Sequence, residues 1–220
     1  LIERKAIDLQ KVKYVVLDEA DEMLNMGFRD DIDFVLKNTI NRESTWLFSA
    51  TMPPEVRAIS RNYMENPKEV TVGKKNSGNV NIDHQFFVVP ASQRYEALKR
   101  LIDFNPGMYG IIFTRTKADA QEVSERLAKS GYEIEALHGD LSQQQRDKVM
   151  GRFRSKNLQL LIATDVAARG IDVDGITHVI NFELPDDMEV YTHRSGRTGR
   201  AGKTGICLSI CHSRETYKIK

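Results

Sequence analysis

The chain has 220 residues, enough for one large or two modest domains at roughly 100–200 residues each. Apolar residues make up 40% and charged residues 29%, a globular balance that excludes a disordered chain, and no apolar run approaches the ~18 residues of a membrane-spanning helix. The formal charge is only +1, but Arg194, Arg197, Arg200 and Lys203 form a basic cluster in a stretch without an acid.

The chain opens at Leu1 on what reads as a helix end, with no initiator Met or targeting segment, the pattern of a fragment. Val12 to Leu17 is a short apolar run ending in acids, and Trp46 to Phe48 another ending in small polar residues; both read as buried strands. Pro53 and Pro54 suit the first turn of a helix that continues through Val56, Ile59 and Tyr63, and Glu69 to Val72 reads as strand again. Gly73 to Asn81 is polar, Gly-rich and aperiodic, so residues 1–73 are expected to form one domain, 74–81 a linker and 82–220 a second domain. Strands are then expected at His84–Val89, Ile111–Phe113, Ile134–Leu137, Leu158–Ile162, His178–Phe182 and Ile206–Ile210, with helices between them. Thr116 with Asp119 and Ser142 with Gln145 have capping-box spacing, and Ala120, Val123 and Leu127 give one helix an apolar face before Gly131 stops it. This alternation argues for an α/β fold with mostly parallel sheets and flanking helices. Cys207 and Cys211 share one apolar stretch, cannot form a disulfide framework, and read as core thiols of a protein kept in a reducing cytosol.

The residues with chemical potential sit at the ends of these strands, where α/β folds bind ligands. Asp18-Glu19-Ala20-Asp21 follows Tyr14 to Leu17, so either its carboxylates hold hydrated Mg²⁺ and orient a water, or they are the acids that favour a helix N-terminus. Ser49-Ala50-Thr51 ends the next strand and should reach the same sheet edge. Within 163–172, Thr164 suits a phosphate contact and Asp172 a ribose hydroxyl, with a capped turn holding an internal Arg–Asp pair as the structural alternative. His138-Gly139-Asp140 and Gln143-x-x-Arg146 suit backbone binding. His193 to Arg200 carries arginines three residues apart, separated by glycines, which is either a set of planar forks for phosphate oxygens or a solvated basic turn with few acids to pair with. Gly202-Lys203-Thr204 is not a phosphate-cradling loop, because Gly196 is one residue too far upstream and a strand follows instead of a helix. His84, His178 and His212 are scattered and read as structural.

The ordered set Asp-Glu-Ala-Asp, Ser-Ala-Thr, Ile111-Ile112-Phe113-Thr114, Gln143-x-x-Arg146, Ala168-Arg169-Gly170-Ile171-Asp172 and His-Arg-x-Gly-Arg-x-x-Arg resembles the DEAD-box ATP-dependent RNA helicases of superfamily 2, the bacterial members above all. The resemblance implies RecA-like parallel sheets, a partial first domain and a nearly complete second, with ATP and single-stranded RNA bound across the cleft between them. It implies that Asp18 holds Mg²⁺ through water and Glu19 positions the hydrolytic water. Asp21, Ser49, Thr51 and His193 would couple hydrolysis to closure, and Asp172 would bind the ribose. Arg197 and Arg200 would act on the γ-phosphate, and Gln143, Arg146 and Thr164 would contact the backbone of single-stranded or short duplex RNA. The implied activity is ATP-dependent duplex unwinding or ribonucleoprotein remodelling in the cytoplasm, away from membranes. A non-hydrolysing RNA-binding scaffold and a DNA-acting superfamily 2 ATPase are the rival readings. The family's Walker A loop and glutamine motif are missing, so the chain by itself is expected to hydrolyse no ATP, and residues 1–73 are expected to expose apolar surface and a sheet edge.

Overall fold

The computed structural model describes residues 2, 6–71, 81–200 and 202–219. The helix end expected at the first residues and the linker expected over 74–81, Asn81 apart, lie almost wholly outside them. The chain divides into two compact units, one within 1–72 and the other within 73–220.

In the first unit, β1 (Tyr14–Leu17) and β2 (Ser44–Leu47) pair in parallel, Tyr14 opposite Ser44 and Leu17 opposite Leu47. The crossover contains α1 (Ala20–Asn25) and α2 (Arg29–Asn38), and α3 (Pro54–Tyr63) follows β2. Side chains alternate across a strand. Val15 and Leu17 therefore pack on Ile32, Leu36, Val56 and Ile59, while Tyr14, Val16, Trp46 and Phe48 face outward and are more than half exposed. Both strands are thus buried on one face only, a correction to their reading as buried strands, and the apolar surface expected in this unit is there. The strand expected at Glu69–Val72 does not form: 69–71 is irregular, Val70 is exposed, and Val72 is outside the described residues. Pro67 just upstream has no N–H to donate, and a cavity of about 630 Å³ is lined by β2 and by residues of 63–70, where a ladder between them would have to close.

The second unit is a six-stranded parallel sheet in the order β3-β8-β7-β4-β6-β5. Its strands are β3 (Ile82–Val88), β4 (Gly110–Phe113), β5 (Ile134–Leu137), β6 (Leu160–Ala163), β7 (His178–Asn181) and β8 (Gly205–Cys211). Its helices are α4 (Arg94–Phe104), α5 (Lys117–Lys129), α6 (Gln143–Arg154), α7 (Asp165–Ala168) and α8 (Met188–Ser195). The central strands β4, β6 and β7 are buried throughout, as expected of a parallel sheet covered on both faces. Successive residues serve opposite cores: Ile111 and Phe113 join Leu161, Val179 and Phe153 on one face, and Ile112 joins Ile162, Ile180, Leu98 and Leu127 on the other. The Ser142–Gln145 capping box opens α6, with each residue's side chain bonding the other's backbone N–H. Thr116 caps α5 by accepting the Asp119 N–H at 3.1 Å. Cys207 and Cys211 are free and buried. Burial pushes the Cys207 thiol up to about 11, so it is an inert core group.

Gly205 lets β8 pass under the turn at Thr198 and Gly199. A Cβ there would lie 2.4 Å from the Thr198 Oγ1 and 2.6 Å from the Gly199 nitrogen. Gly205→Ala should therefore displace that turn and lower stability by about 1–3 kcal/mol, read as a lower urea midpoint at unchanged m-value. An unchanged midpoint would show that the turn yields freely.

Candidate functional site

Because every strand pair is parallel, each unit gathers the loops after its strands at one sheet edge. In the first unit the edge is sealed by backbone bonds: the Phe48 N–H donates to the Leu17 carbonyl at 2.8 Å and the Ala20 N–H to the Phe48 carbonyl at 3.1 Å. Asp18 is exposed, and its Oδ1 accepts the Glu19 N–H at 3.0 Å. Glu19 has φ +51°, ψ 45°, a left-handed conformation unusual for a residue with a side chain. Such strain persists only where its surroundings enforce it, and it clusters at functional sites.

Those surroundings are Asp21, Ser49 and Thr51. Asp21 is only 3% exposed. Its Oδ2 accepts both the Thr51 N–H and the Thr51 hydroxyl at 2.8 Å, its Oδ1 accepts the Glu22 N–H at 3.1 Å, and its own N–H donates to the Ser49 Oγ at 3.3 Å. Burial pushes this carboxyl up, but the bonds from Thr51, Ser49 and Glu22 outweigh burial and hold it below its ordinary value. The structure thus brings the five residues singled out in this half to one edge: Asp18 and Glu19 facing solvent, Asp21 clamped beneath by Ser49 and Thr51. Among the described residues no group of three or more His, Cys, Asp or Glu side chains could hold a metal. The exposed carboxylate of Asp18 fits Mg²⁺, which keeps most of its waters and binds through one or two carboxylates and substrate phosphates.

In the second unit Thr164 ends β6 and is the N-cap of α7, its hydroxyl making no capping bond. Gln143 opens α6 and donates to Asp147 at 2.8 Å. Arg146, one turn on, donates to the Ala167 carbonyl of α7 at 2.6 Å, so α6 and α7 are tied together. Asp140 forms a surface ion pair with Lys117 at 2.9 Å.

The basic run is neither a set of free forks nor a solvated turn. Arg194 is 2% exposed and inward-facing. Its Nε and Nη2 bind the two carboxylate oxygens of Asp165 at 2.6 and 2.8 Å, and its Nη1 donates to the Asn181 Oδ1 at 3.0 Å and the Glu183 carbonyl at 2.8 Å. The guanidinium also lies 5.1 Å from the Phe113 ring centroid. Arg197 donates to the Ile171 carbonyl at 3.0 Å, and Arg200 to the Gly196 carbonyl and the Asp172 carboxylate, both at 2.9 Å. The expectation that the run has few acids to pair with is therefore wrong: the acids come from 165–172, about 28 residues upstream. His193 is half-buried on α8. Arg197, Arg200 and Asp172 thus share one neighbourhood, with His193 a turn upstream on α8, while Thr164 follows β6 and Gln143 and Arg146 lie on α6 after β5. His84 bonds the Tyr191 hydroxyl at 2.7 Å and His178 bonds Thr177 at 2.8 Å, both structural contacts.

Asp165 and Asn181 carry this arrangement and were not singled out from the sequence. Asp165 reads locally as a helix-start acid. Asn181, a polar residue ending an apolar strand, was the available signal, since a buried amide needs partners.

Known proteins resemble this chain along its whole length. The DEAD/DEAH box helicase model matches residues 1–59 and the helicase conserved C-terminal domain model residues 93–202. The chain is 45% identical over 219 residues to the DEAD-box ATP-dependent RNA helicase CshA of Bacillus cereus (strain ATCC 10987 / NRS 248), covering 100% of the chain and 42% of that protein. CshA of Bacillus subtilis (strain 168) is likewise 45% identical, with 100% and 44% covered. The chain therefore spans less than half the length of these relatives. Among solved structures, S. cerevisiae Dbp5 bound to RNA and ADP BeF3 superposes with a TM-score of 0.88 at 32% identity, covering all of this chain and 58% of that one. A DEAD box protein from the hyperthermophile Methanococcus jannaschii gives 0.61 at 43%, covering 99% and 59%.

The Asp21 clamp has a pH consequence. A carboxyl held low in the folded state contributes stability above its unfolded value, near 3.8, and that contribution is lost as pH falls through the lower folded value. Thr51→Val, which removes the hydroxyl donor, should move the Asp21 titration upward and shift loss of the first unit's structure to higher pH. Carboxyl carbon shifts in an NMR titration report both; an Asp21 curve identical in the two proteins would refute the clamp.

Proposed function

The chain belongs to the DEAD-box helicase family, and from that premise we propose that it supplies the RecA-like core of a cytoplasmic, Mg²⁺-dependent and RNA-stimulated ATPase that opens short RNA duplexes or remodels ribonucleoproteins. The carrying observation is the edge at β1, where Asp18 and Glu19 present carboxylates to solvent from a strained turn that Asp21, Ser49 and Thr51 hold down. Asp18 would hold Mg²⁺ through its water shell; when bound, the ion neutralises phosphate charge. Glu19 orients the attacking water and accepts its proton. Thr51 and Ser49 fix Asp21 and, through the intervening Ala20, the direction in which Glu19 points, which suits this cluster to couple hydrolysis to closure; His193 is assigned the same role from the second unit.

Arg197 and Arg200 meet the charge that develops on the transferred phosphoryl group, and the carbonyl and carboxylate partners they hold here keep them extended in the meantime. Asp172, largely exposed at its pair with Arg200, accepts the ribose hydroxyls. Thr164, Gln143 and Arg146 contact RNA through its backbone, which makes binding independent of sequence and sensitive to salt. Among the described residues no helix is long and apolar enough to cross a membrane.

Glu19→Gln in the full-length protein tests the assignment. It keeps size and hydrogen bonding but removes the proton acceptor, and should slow ATP hydrolysis by about 10²–10⁴-fold while leaving ATP binding intact. Since RNA and ATP strengthen each other's binding reciprocally, labelled RNA should leave this variant more slowly than wild type when ATP and Mg²⁺ are present. Equal dissociation rates with intact ATP binding would overturn the role given to Glu19.

A further inference from the structure

The Arg194 guanidinium is costly to bury, since its desolvation commonly cancels the attraction of a carboxylate such as that of Asp165, which stays half-buried. An apolar contact would hold α8 to the sheet as firmly. What the ionic contact adds is direction: a planar fork met by a carboxylate admits one geometry, whereas apolar packing tolerates rotation and slippage.

That direction matters because of what each partner is joined to. Asp165 directly follows Thr164, and its helix α7 is held from the other side by Arg146. Arg194 sits one turn before the segment carrying Arg197 and Arg200, and its carbonyl accepts the Arg197 N–H at 3.1 Å. The next N–H, of Thr198, donates to the Ser195 carbonyl, also at 3.1 Å, and the Thr198 hydroxyl donates to the Ile176 carbonyl at 2.6 Å. On the same face of α8, three residues earlier, the Tyr191 hydroxyl meets His84 at 2.7 Å and accepts from the Cys207 thiol at 3.6 Å. Asn181, which receives Arg194, in turn donates to the Ser209 Oγ at 3.1 Å. The inward face of α8 is therefore fixed by polar contacts along its length: Tyr191 toward β3 and β8, Arg194 toward β7 and α7.

We propose that Asp165 and Arg194 are positioning residues that join the RNA-contacting end of β6 to the turn bearing Arg197 and Arg200, so that RNA held at Thr164 sets the placement of the two arginines. This rests on the RNA-stimulated ATPase reading above. A displacement of Thr164 moves Asp165, the fork carries the movement to Arg194, and the backbone bond carries it to Arg197.

The experiment measures ATP turnover by the full-length protein with and without saturating single-stranded RNA, alongside thermal unfolding, for wild type and three variants. Asp165→Asn keeps the shape but removes the charge. Asp165→Glu restores the carboxylate. Asp165→Leu/Arg194→Met replaces the whole pair by apolar groups and stays folded even where a single unpaired charge would not. The expected result is an RNA-stimulated kcat about 100-fold lower in Asp165→Asn and in the double variant, with the KM for ATP changed less than threefold and the double variant unfolding near the wild-type temperature. Asp165→Glu should recover part of the stimulation. A double variant that folds and keeps RNA stimulation within twofold of wild type would overturn the proposal, since a purely structural pair predicts that outcome. A wild-type protein without RNA stimulation would overturn the ATPase reading itself.

Discussion

A buried cation must be matched by acceptors, and the guanidinium of Arg194 imposes that demand on the middle of the second unit. It draws a carboxylate from α7, a side-chain amide from the end of β7 and a main-chain carbonyl from the loop after it. Losing any of these acceptors would leave the buried guanidinium short of a partner, so these three elements take one relative arrangement. The turn from Gly196 to Arg200 inherits its place from them. Its own bonds, from Arg197 to Ile171 and from Arg200 to Asp172, close back on the same segment that supplied Asp165.

The first unit solves a similar problem with a buried anion. Asp21 is satisfied by two donors from Thr51 and one from Glu22, and beside it the residue before α1 takes a left-handed turn, with Asp18 and Glu19 at the surface. In both units a buried charge with short, directional contacts lies directly beneath exposed charged or polar groups. Parallel strand pairing supplies the location and the buried charge the orientation, which apolar packing on either side of the sheets does not specify.

The central strands β4, β6 and β7 were legible because burial on both faces writes a continuous apolar run, and each expected strand from Ile111 onward lies within two residues of its observed counterpart. The candidate residues Asp18 to Asp21, Ser49 to Thr51 and Thr164 were singled out because each follows an apolar strand run, and a residue just past a parallel strand stands at the edge where such sheets bind ligands. Pairing across long separation was not legible. Asp165 and Arg194 are 29 residues apart, and nothing in either local pattern distinguishes a capping acid or a surface arginine from two halves of one half-buried contact. Nor could hydropathy tell which face of β1 and β2 is covered, or that Glu69 to Thr71 stands off from β2 across a cavity, since both depend on neighbours in space.

The proposed activity is that of an RNA-driven ATPase, and the polymer that drives it is the claim most open to direct measurement. Turnover of ATP by the full-length protein should be compared with single-stranded RNA and with DNA of the same sequence and length at one salt concentration. The account predicts strong stimulation by RNA and little by DNA, because contacts spaced along an RNA backbone also meet the 2′-hydroxyls that DNA lacks. Equal stimulation by the two, or by neither, would contradict it.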